Sequence, residues 1–139
     1  APLDCPNHAE MAVKTAMEIE LLTEKMNQEI IDEGLELPPV VIGTGVNTGP
    51  CIVGNMGSEL RFDYSVVGDA VNLAARLEVQ TRTFDTPILL SESTYLQLSN
   101  VACKQLDEIK VKGKDIPVKI FAPLFDGDGH GKEVRKLNK

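Results

Sequence analysis

Two side chains that could act together on a phosphate lie one helical turn apart in this sequence. Asn72 and Arg76 belong to an apolar-rich stretch that follows a Gly68-Asp69 turn, and their spacing puts both on one face of a helix. An amide and a guanidinium aimed together from the start of a helix form a donor cluster suited to a phosphate or a sugar oxygen. The alternative is simple solvation, because most polar helix residues lie on the surface.

Other phosphate and metal motifs are missing from the sequence. It contains no GxxxxGK[ST] loop, and the glycines that follow position 42 are wrongly spaced for a GxGxxG fingerprint. The DGDG run at 126–129 resembles the opening of a calcium loop, but Leu137 stands where the bidentate glutamate should be. The donor pair on the helix is therefore the main candidate for chemistry.

The composition indicates a single soluble globular domain. Of 139 residues, 42% are hydrophobic and 25% are charged, and the formal net charge is -7. An acidic chain is a poor partner for nucleic acid or for an anionic membrane surface, so neither is expected. The odd number of cysteines without CxxC spacing predicts free thiols in a reducing cytoplasm. The sequence shows neither a signal peptide nor a membrane-spanning run.

A long amphipathic helix and several shorter elements are predicted to position the donor pair. The helix covers 7–32, with Asn7 and Glu10 at capping-box spacing. Its expected buried stripe consists of Ala9, Val13, Ala16, Ile19, Leu22, Met26 and Ile30. Strands are predicted at 40–46, 62–67, 87–90, 106–111 and 116–121, further helices at 69–80 and 91–98, and a glycine-rich loop at 54–58. This order predicts an α/β sandwich with a mixed or antiparallel sheet.

The segment 41–78 carries two long and unusual stretches, NTGPCIVGNMGS and DYSVVGDAVNLAARLE. Both resemble the second half of the catalytic domain of class III adenylyl and guanylyl cyclases, which convert a nucleoside triphosphate into a 3′,5′-cyclic monophosphate and pyrophosphate. The resemblance covers nearly all of 1–123, and 124–139 is expected to be a disordered tail. It implies a ferredoxin-like cyclase fold whose front strands and metal-site half are absent from this chain.

The resemblance also implies roles for individual residues. Asn72 matches the family's ribose-binding asparagine, and Arg76 matches the arginine that stabilises the transition state. Ser65 occupies the position that reads the base, where its hydroxyl resembles the threonine of adenylyl cyclases and favours ATP. Lys114, and with it Lys112, lies near the position of a triphosphate-binding lysine, although two solvated turn lysines are an equally good interpretation.

Two metal ions, Mg²⁺ or Mn²⁺, are implied by the family's chemistry, but no metal ligand is assigned in this sequence. The family's metal-binding aspartates lie ahead of the long helix, so their positions are expected in the missing front half. Asp69 is instead a candidate helix N-cap. The chain alone is therefore expected to be inactive, because it supplies only the Asn72/Arg76 side of the site.

The leading hypothesis is that the chain is part of an adenylate cyclase that acts as a homodimer on ATP in the cytoplasm, either free or as the cytoplasmic domain of a membrane-anchored or multidomain protein. In the resembling family the site forms between two subunits. The apolar side chains of 49–62, including Met56 and Phe62, are expected to contact the second subunit. Two alternatives stay open: a guanylate cyclase, and a non-catalytic cyclase-like module that dimerises or binds nucleotide.

Overall fold

The computed structural model describes residues 3–110 and 115–125. Its elements, in chain order, are α1 (His8–Asp32), β1 (Thr44–Val46), β2 (Ile52–Ser58), β3 (Arg61–Val67), α2 (Asp69–Thr83), β4 (Ile88–Ser91), α3 (Glu92–Tyr95), β5 (Cys103–Ile109) and β6 (Val118–Pro123). The predicted α/β class is confirmed.

A four-stranded mixed sheet in the order β1-β4-β6-β5 forms the centre of the molecule. β1 runs parallel to β4, whereas β4 and β5 are both antiparallel to β6. The alternation along β4 places Ile88 and Leu90 against α1 and places Leu89 against α2. The two long helices therefore cover opposite faces of the sheet, and the predicted hairpin of β5 and β6 closes its far edge.

Residues 52–67 form an antiparallel ribbon, β2 and β3, that is separate from the main sheet. The prediction of a loop at 54–58 was wrong, because these residues pair with β3 from Gly54–Ser65 to Ser58–Arg61. Glycines indicated a loop, but cross-strand hydrogen bonds satisfy their backbone. Gly57 has a φ of +143°, a backbone conformation that favours glycine.

The predicted strand at 40–46 was too long, since β1 covers only Thr44–Val46. Its neighbour β4 begins at Ile88, opposite Thr44, so β4 offers residues 40–43 no strand partner. The segment is held in another way. The Asn27 side chain of α1 accepts a hydrogen bond from the Val40 amide and donates one to the Val40 carbonyl, both at 2.8 Å.

Two predictions about α1 are corrected. Of its expected buried stripe, Ala9, Val13 and Ala16 are buried, whereas Ile19, Leu22 and Met26 are exposed, since only the first half of the helix packs on the sheet core. The capping box does not form, because Asn7 makes no side-chain cap. The Glu10 carboxylate instead accepts from the amides of Ser99 and Asn100, at 2.8 and 2.7 Å.

The core extends to the last described residues. Phe125 is buried against the α1 side of the sheet, and the Leu124 amide donates to the Ala102 carbonyl at 2.8 Å. The remainder of the tail predicted for 124–139 lies outside the described residues. In the part of the chain that the structure covers, no helix is both long and apolar enough to cross a membrane.

Candidate active site

The donor pair lies on the outer face of α2. Leu73 and Leu77 are buried against the sheet, and Thr81 continues this inner face one turn later. Asn72 and Arg76 are exposed, and neither side chain makes a hydrogen bond or ion pair within residues 3–110 and 115–125. A fixed inner face and unpaired outer donors leave the amide and the guanidinium available for a ligand.

Two glycines bring α2 unusually close to β1. A Cβ atom on Gly45 would meet the Ala74 carbonyl and would lie 2.5 Å from the Glu78 amide nitrogen. On the same side of the strand, a Cβ on Gly43 would meet the Thr81 hydroxyl. Because most of these neighbouring atoms are backbone, the helix would have to move to accept a side chain. The two glycines therefore fix the distance from the strand to the helix that carries the donors.

A glycine also sets the direction in which α2 leaves β3. Gly68 has a φ of +145° and is the N-cap residue, and its carbonyl accepts from the amides of Val71 and Asn72 at 3.1 and 3.2 Å. The prediction of Asp69 as the N-cap was wrong by one residue. Asp69 is the first residue of the helix and makes no side-chain cap bond, although its charge favours the helix N-terminus.

A polar network below the start of α2 was missed by the sequence reasoning. Asn47, immediately after β1, donates to the Ala70 carbonyl at 2.9 Å and accepts from the hydroxyls of Ser91 and Ser93 at 2.6 and 3.0 Å. The Ser93 hydroxyl, whose single proton is shared between these two acceptors, also lies 2.8 Å from the Thr48 carbonyl. The sequence signal was the polar NT pair directly after a β-branched strand, which was interpreted only as a turn.

Ser65 lies on the ribbon and not on the main sheet. It is half-buried, sits opposite Gly54, and donates to the Asp63 carbonyl at 3.2 Å. Because β3 runs through Gly68 directly into α2, Ser65 and the donor helix are joined by a short piece of chain. The structure thus links Ser65 to the Asn72/Arg76 helix by sequence continuity, without a side-chain contact between them in the described residues.

The remaining predicted groups are the two lysines of the turn and the ligands of the metal ions. Lys112 and Lys114 lie outside the described residues. Within the described part of the chain, no group of His, Cys, Asp and Glu residues is arranged to hold a metal ion. Residues 3–110 and 115–125 therefore do not supply a site for the implied ions.

The thiol of Cys103 is not a candidate nucleophile. It is half-buried in the core, and this burial raises its pKa to about 11. A thiol is nucleophilic only as the thiolate, so Cys103 is unreactive near neutral pH. The other two cysteines, Cys5 and Cys51, are exposed and unpaired, which agrees with the prediction of free thiols.

Comparison with known proteins decides the family. Residues 2–122 match the family model of the adenylate and guanylate cyclase catalytic domain. The chain belongs to this family. It is 34% identical over 124 residues to an adenylate cyclase of Anabaena cylindrica and 32% identical over 122 residues to adenylate cyclase 1 of Rhizobium meliloti. These alignments cover 85% and 87% of this chain.

Solved cyclase structures share the fold. A guanylyl cyclase superposes with a TM-score of 0.77 at 34% identity, covering 94% of this chain and 64% of that one. An adenylyl cyclase from P. aeruginosa gives a TM-score of 0.65 at 33% identity, covering 82% of this chain and 58% of that one. The predicted cyclase fold is confirmed.

The chain spans only part of its relatives. It covers 24% of the Anabaena adenylate cyclase and 18% of the Rhizobium enzyme. Similarity to both adenylyl and guanylyl cyclases at equal identity means that family membership does not decide the nucleotide.

Proposed function

We propose that this chain forms the ribose- and phosphate-binding side of an adenylate cyclase site, in a protein that converts ATP to 3′,5′-cyclic AMP and pyrophosphate. The observation that carries the proposal is how α2 is packed and which of its side chains it leaves exposed. Its inner face is packed against β1, while Asn72 and Arg76 project from the outer face and stay unpaired among the described residues. A cyclase-like module that only dimerised would have no use for two fixed donors.

Each donor has a task in the cyclisation. The ribose 3′-hydroxyl loses its proton, which ends in solvent or on the pyrophosphate, and its oxygen attacks the α-phosphorus. The bond to the bridging oxygen breaks, and pyrophosphate leaves with the electron pair of that bond. Asn72 would orient the ribose so that the 3′-oxygen lies in line with the leaving group. Arg76 would donate to the negative charge that increases on the phosphate oxygens in the transition state. A donor that acts on developing charge raises kcat more than it improves substrate binding.

The remaining requirements of the reaction are expected from outside this chain. Divalent ions, Mg²⁺ or Mn²⁺, would neutralise the pyrophosphate, and the described residues provide no cluster of ligands for them. We therefore expect the purified 139-residue chain to be inactive. The complete site would form in a homodimer of a longer protein, and that protein would act in the cytoplasm.

The experiment is a product assay on the full-length protein. With ATP and Mn²⁺ or Mg²⁺, it should release cyclic AMP and pyrophosphate in equal amounts, and Asn72→Ala should reduce the rate strongly. Gln80→Ala, a substitution of another amide on the same helix, should leave the rate near that of the unmodified protein. Nucleotide binding without turnover would favour the non-catalytic module instead.

The Ser65 hydroxyl supports adenine, the base of ATP, as the base that the site recognises. A hydroxyl can donate or accept, and a site that hydrogen-bonds one base leaves polar groups unpaired with the other. Ser65→Cys, combined with the matching change in the rest of the site, should shift the ratio of kcat/KM for ATP and GTP toward GTP. An unchanged ratio would remove Ser65 from base recognition, and a preference of the unmodified protein for GTP would favour the guanylate cyclase alternative.

A further inference from the structure

The side chain of Asn47 connects three separate elements at the carboxyl ends of the parallel strands. It follows β1, its Oδ1 atom accepts from the hydroxyls of Ser91 and Ser93 at the start of α3, and its Nδ2 atom donates to the Ala70 carbonyl in α2. Asn47 thus has partners for both its acceptor and its donor, and the partners lie 23 to 46 positions away in the chain.

The hydrogen bond from Asn47 to Ala70 lies next to the candidate donors. Ala70 belongs to the first turn of α2, two residues before Asn72 and six before Arg76. The first turn of a helix is otherwise its least constrained part, because it is held by few intrahelical bonds. Gly45 fixes how near α2 lies to the sheet, but a glycine contact does not prevent the helix from sliding or rotating. A directed hydrogen bond from Asn47 to the Ala70 carbonyl resists both movements.

The serine hydroxyls hold Asn47 in turn. Ser91 is buried and contacts Asn47 at 2.6 Å, while Ser93 reaches both Asn47 and the Thr48 carbonyl. Because the Ala70 carbonyl can only accept, Nδ2 must face it, and Oδ1 then faces the two hydroxyls, which can donate. The network therefore determines the orientation of the amide as well as its place.

We propose that Asn47 is a positioning residue that sets the first turn of α2, and with it the placement of Asn72 and Arg76 against the substrate. This rests on the proposed function, since Asn47 acts only through those two donors. Small displacements of a donor from the reacting atoms reduce rates steeply, by up to about 100-fold for 1 Å.

The test is Asn47→Asp in the full-length protein. The carboxylate keeps an acceptor for Ser91 and Ser93 but cannot donate to Ala70. We expect kcat to fall about 10- to 100-fold, while KM changes by less than about threefold. Asn47→Ala, which adds no charge, should change kcat in the same direction.

The chain offers a matched control in Asn27→Asp. Asn27 also donates its Nδ2 to a backbone carbonyl, that of Val40, at 2.8 Å, but beside the last turn of α2 and not its first. This variant loses the same kind of bond and should show a similar loss of thermal stability, with kcat within about twofold of the unmodified protein. An equal fall of kcat in both variants would mean that Asn47 is merely structural, which overturns the proposal.

A second measurement separates positioning from a general loss of activity. In an Arg76→Ala background, Asn47→Asp should reduce kcat by less than about threefold, because the main group that it positions is already missing. If Asn47→Asp lowered kcat by the same factor in the Arg76→Ala and Asn72→Ala backgrounds as in the unmodified protein, the proposal would be contradicted.

Failure of the proposed function would be seen separately, as absence of cyclic AMP from the unmodified full-length protein. The inference would then be decided by amide hydrogen exchange. Asn47→Asp should lower protection in the first two turns of α2, including the Ala74 amide, whereas Asn27→Asp should not. Unchanged protection there would overturn the role of Asn47 in holding α2.

Discussion

The two parts of the molecule that carry site residues differ in how they are supported. The helix with Asn72 and Arg76 packs its inner face into a cluster with Leu89, Ile109 and Ile120. Among residues 3–110 and 115–125, no such layer covers the β2–β3 ribbon with Ser65. Its large apolar side chains are exposed, with Ile52 at 68%, Phe62 at 64% and Tyr64 at 61%. A two-stranded ribbon is marginally stable on its own in water.

This difference indicates which part of the site the chain can build by itself. The helix that carries the donor pair is held in place by contacts within the described residues. The base-reading position depends on a ribbon whose apolar side chains need a covering surface. We infer that the phosphate side of the site is preformed and that the base side is completed by assembly.

The largest effect is expected at Arg76. In the full-length protein, Arg76→Ala should lower kcat by about 10²- to 10³-fold and change KM much less, because the guanidinium acts on charge that exists only in the transition state. Steady-state kinetics with ATP would measure both. The control is Arg82→Ala, on the same helix, where an exposed arginine pairs with Glu78 at 3.3 Å and little change is expected. A loss under about fivefold at Arg76 would contradict its role.

The second effect concerns the ribbon as a subunit contact. Cross-strand register places Val53, Val66, Tyr64 and Phe62 on one face and Ser65 with Met56 on the other. Met56 and Phe62, which were predicted to lie in one interface, are therefore on opposite faces of the ribbon. We expect Phe62→Asp to shift the full-length protein toward monomer and to reduce activity at least about tenfold, since a charge is costly to bury in an apolar contact.

Sedimentation at low micromolar concentration, run beside activity assays, measures both properties. Met56→Asp is the matched variant on the Ser65 face. If that variant dissociates the protein and Phe62→Asp does not, the interface lies on the Ser65 face. A dimer that survives both substitutions with full activity would rule out the ribbon as the contact.

The third effect tests the close packing of the donor helix. Gly45→Ala would place a methyl group against the backbone of Ala74 and Glu78. We expect the free energy of unfolding to fall by about 1–3 kcal/mol. Gly54→Ala is the control, because nothing lies within 4 Å of its added Cβ. Denaturant unfolding of the two variants should differ in midpoint. Equal midpoints would mean that α2 adapts easily to a side chain on β1.

Sequence reasoning found the elements of the packed half and failed where tertiary contacts decide. The predicted helix at 69–80 corresponds to α2, and the predicted strands at 106–111 and 116–121 correspond to β5 and β6, each displaced by two or three residues. The ribbon was partly missed because glycines within a strand look like a loop until a partner strand is known. Gly45 and Asn47 were missed as site-supporting residues, since their importance comes from the Ala74 and Ala70 carbonyls, which lie more than 20 positions away.

Glu10 shows the same limit of local reasoning and gives the smallest effect. Its spacing from Asn7 predicted a cap for its own helix, but the carboxylate bonds the amides of Asn100 and Ser99 instead. These two hydrogen bonds lower the pKa of Glu10 below its usual 4.5. A carboxyl whose pKa is lowered in the folded state stabilises the protein above its unfolded pKa, and that contribution is lost as the pH falls through the folded pKa.

The packed half should therefore lose stability in acid partly through Glu10. Glu10→Gln retains an acceptor oxygen but cannot titrate, so its melting temperature should fall less steeply than that of the unmodified protein below pH 4.5. Glu18→Gln, an exposed glutamate on the same helix, should follow the unmodified protein. Thermal melts of all three proteins between about pH 3 and about pH 7 would measure how steeply each melting temperature depends on pH. Parallel curves for Glu10→Gln and Glu18→Gln would mean that the bonds to Ser99 and Asn100 contribute nothing that depends on charge, and α1 would then be held to the sheet by its apolar face alone.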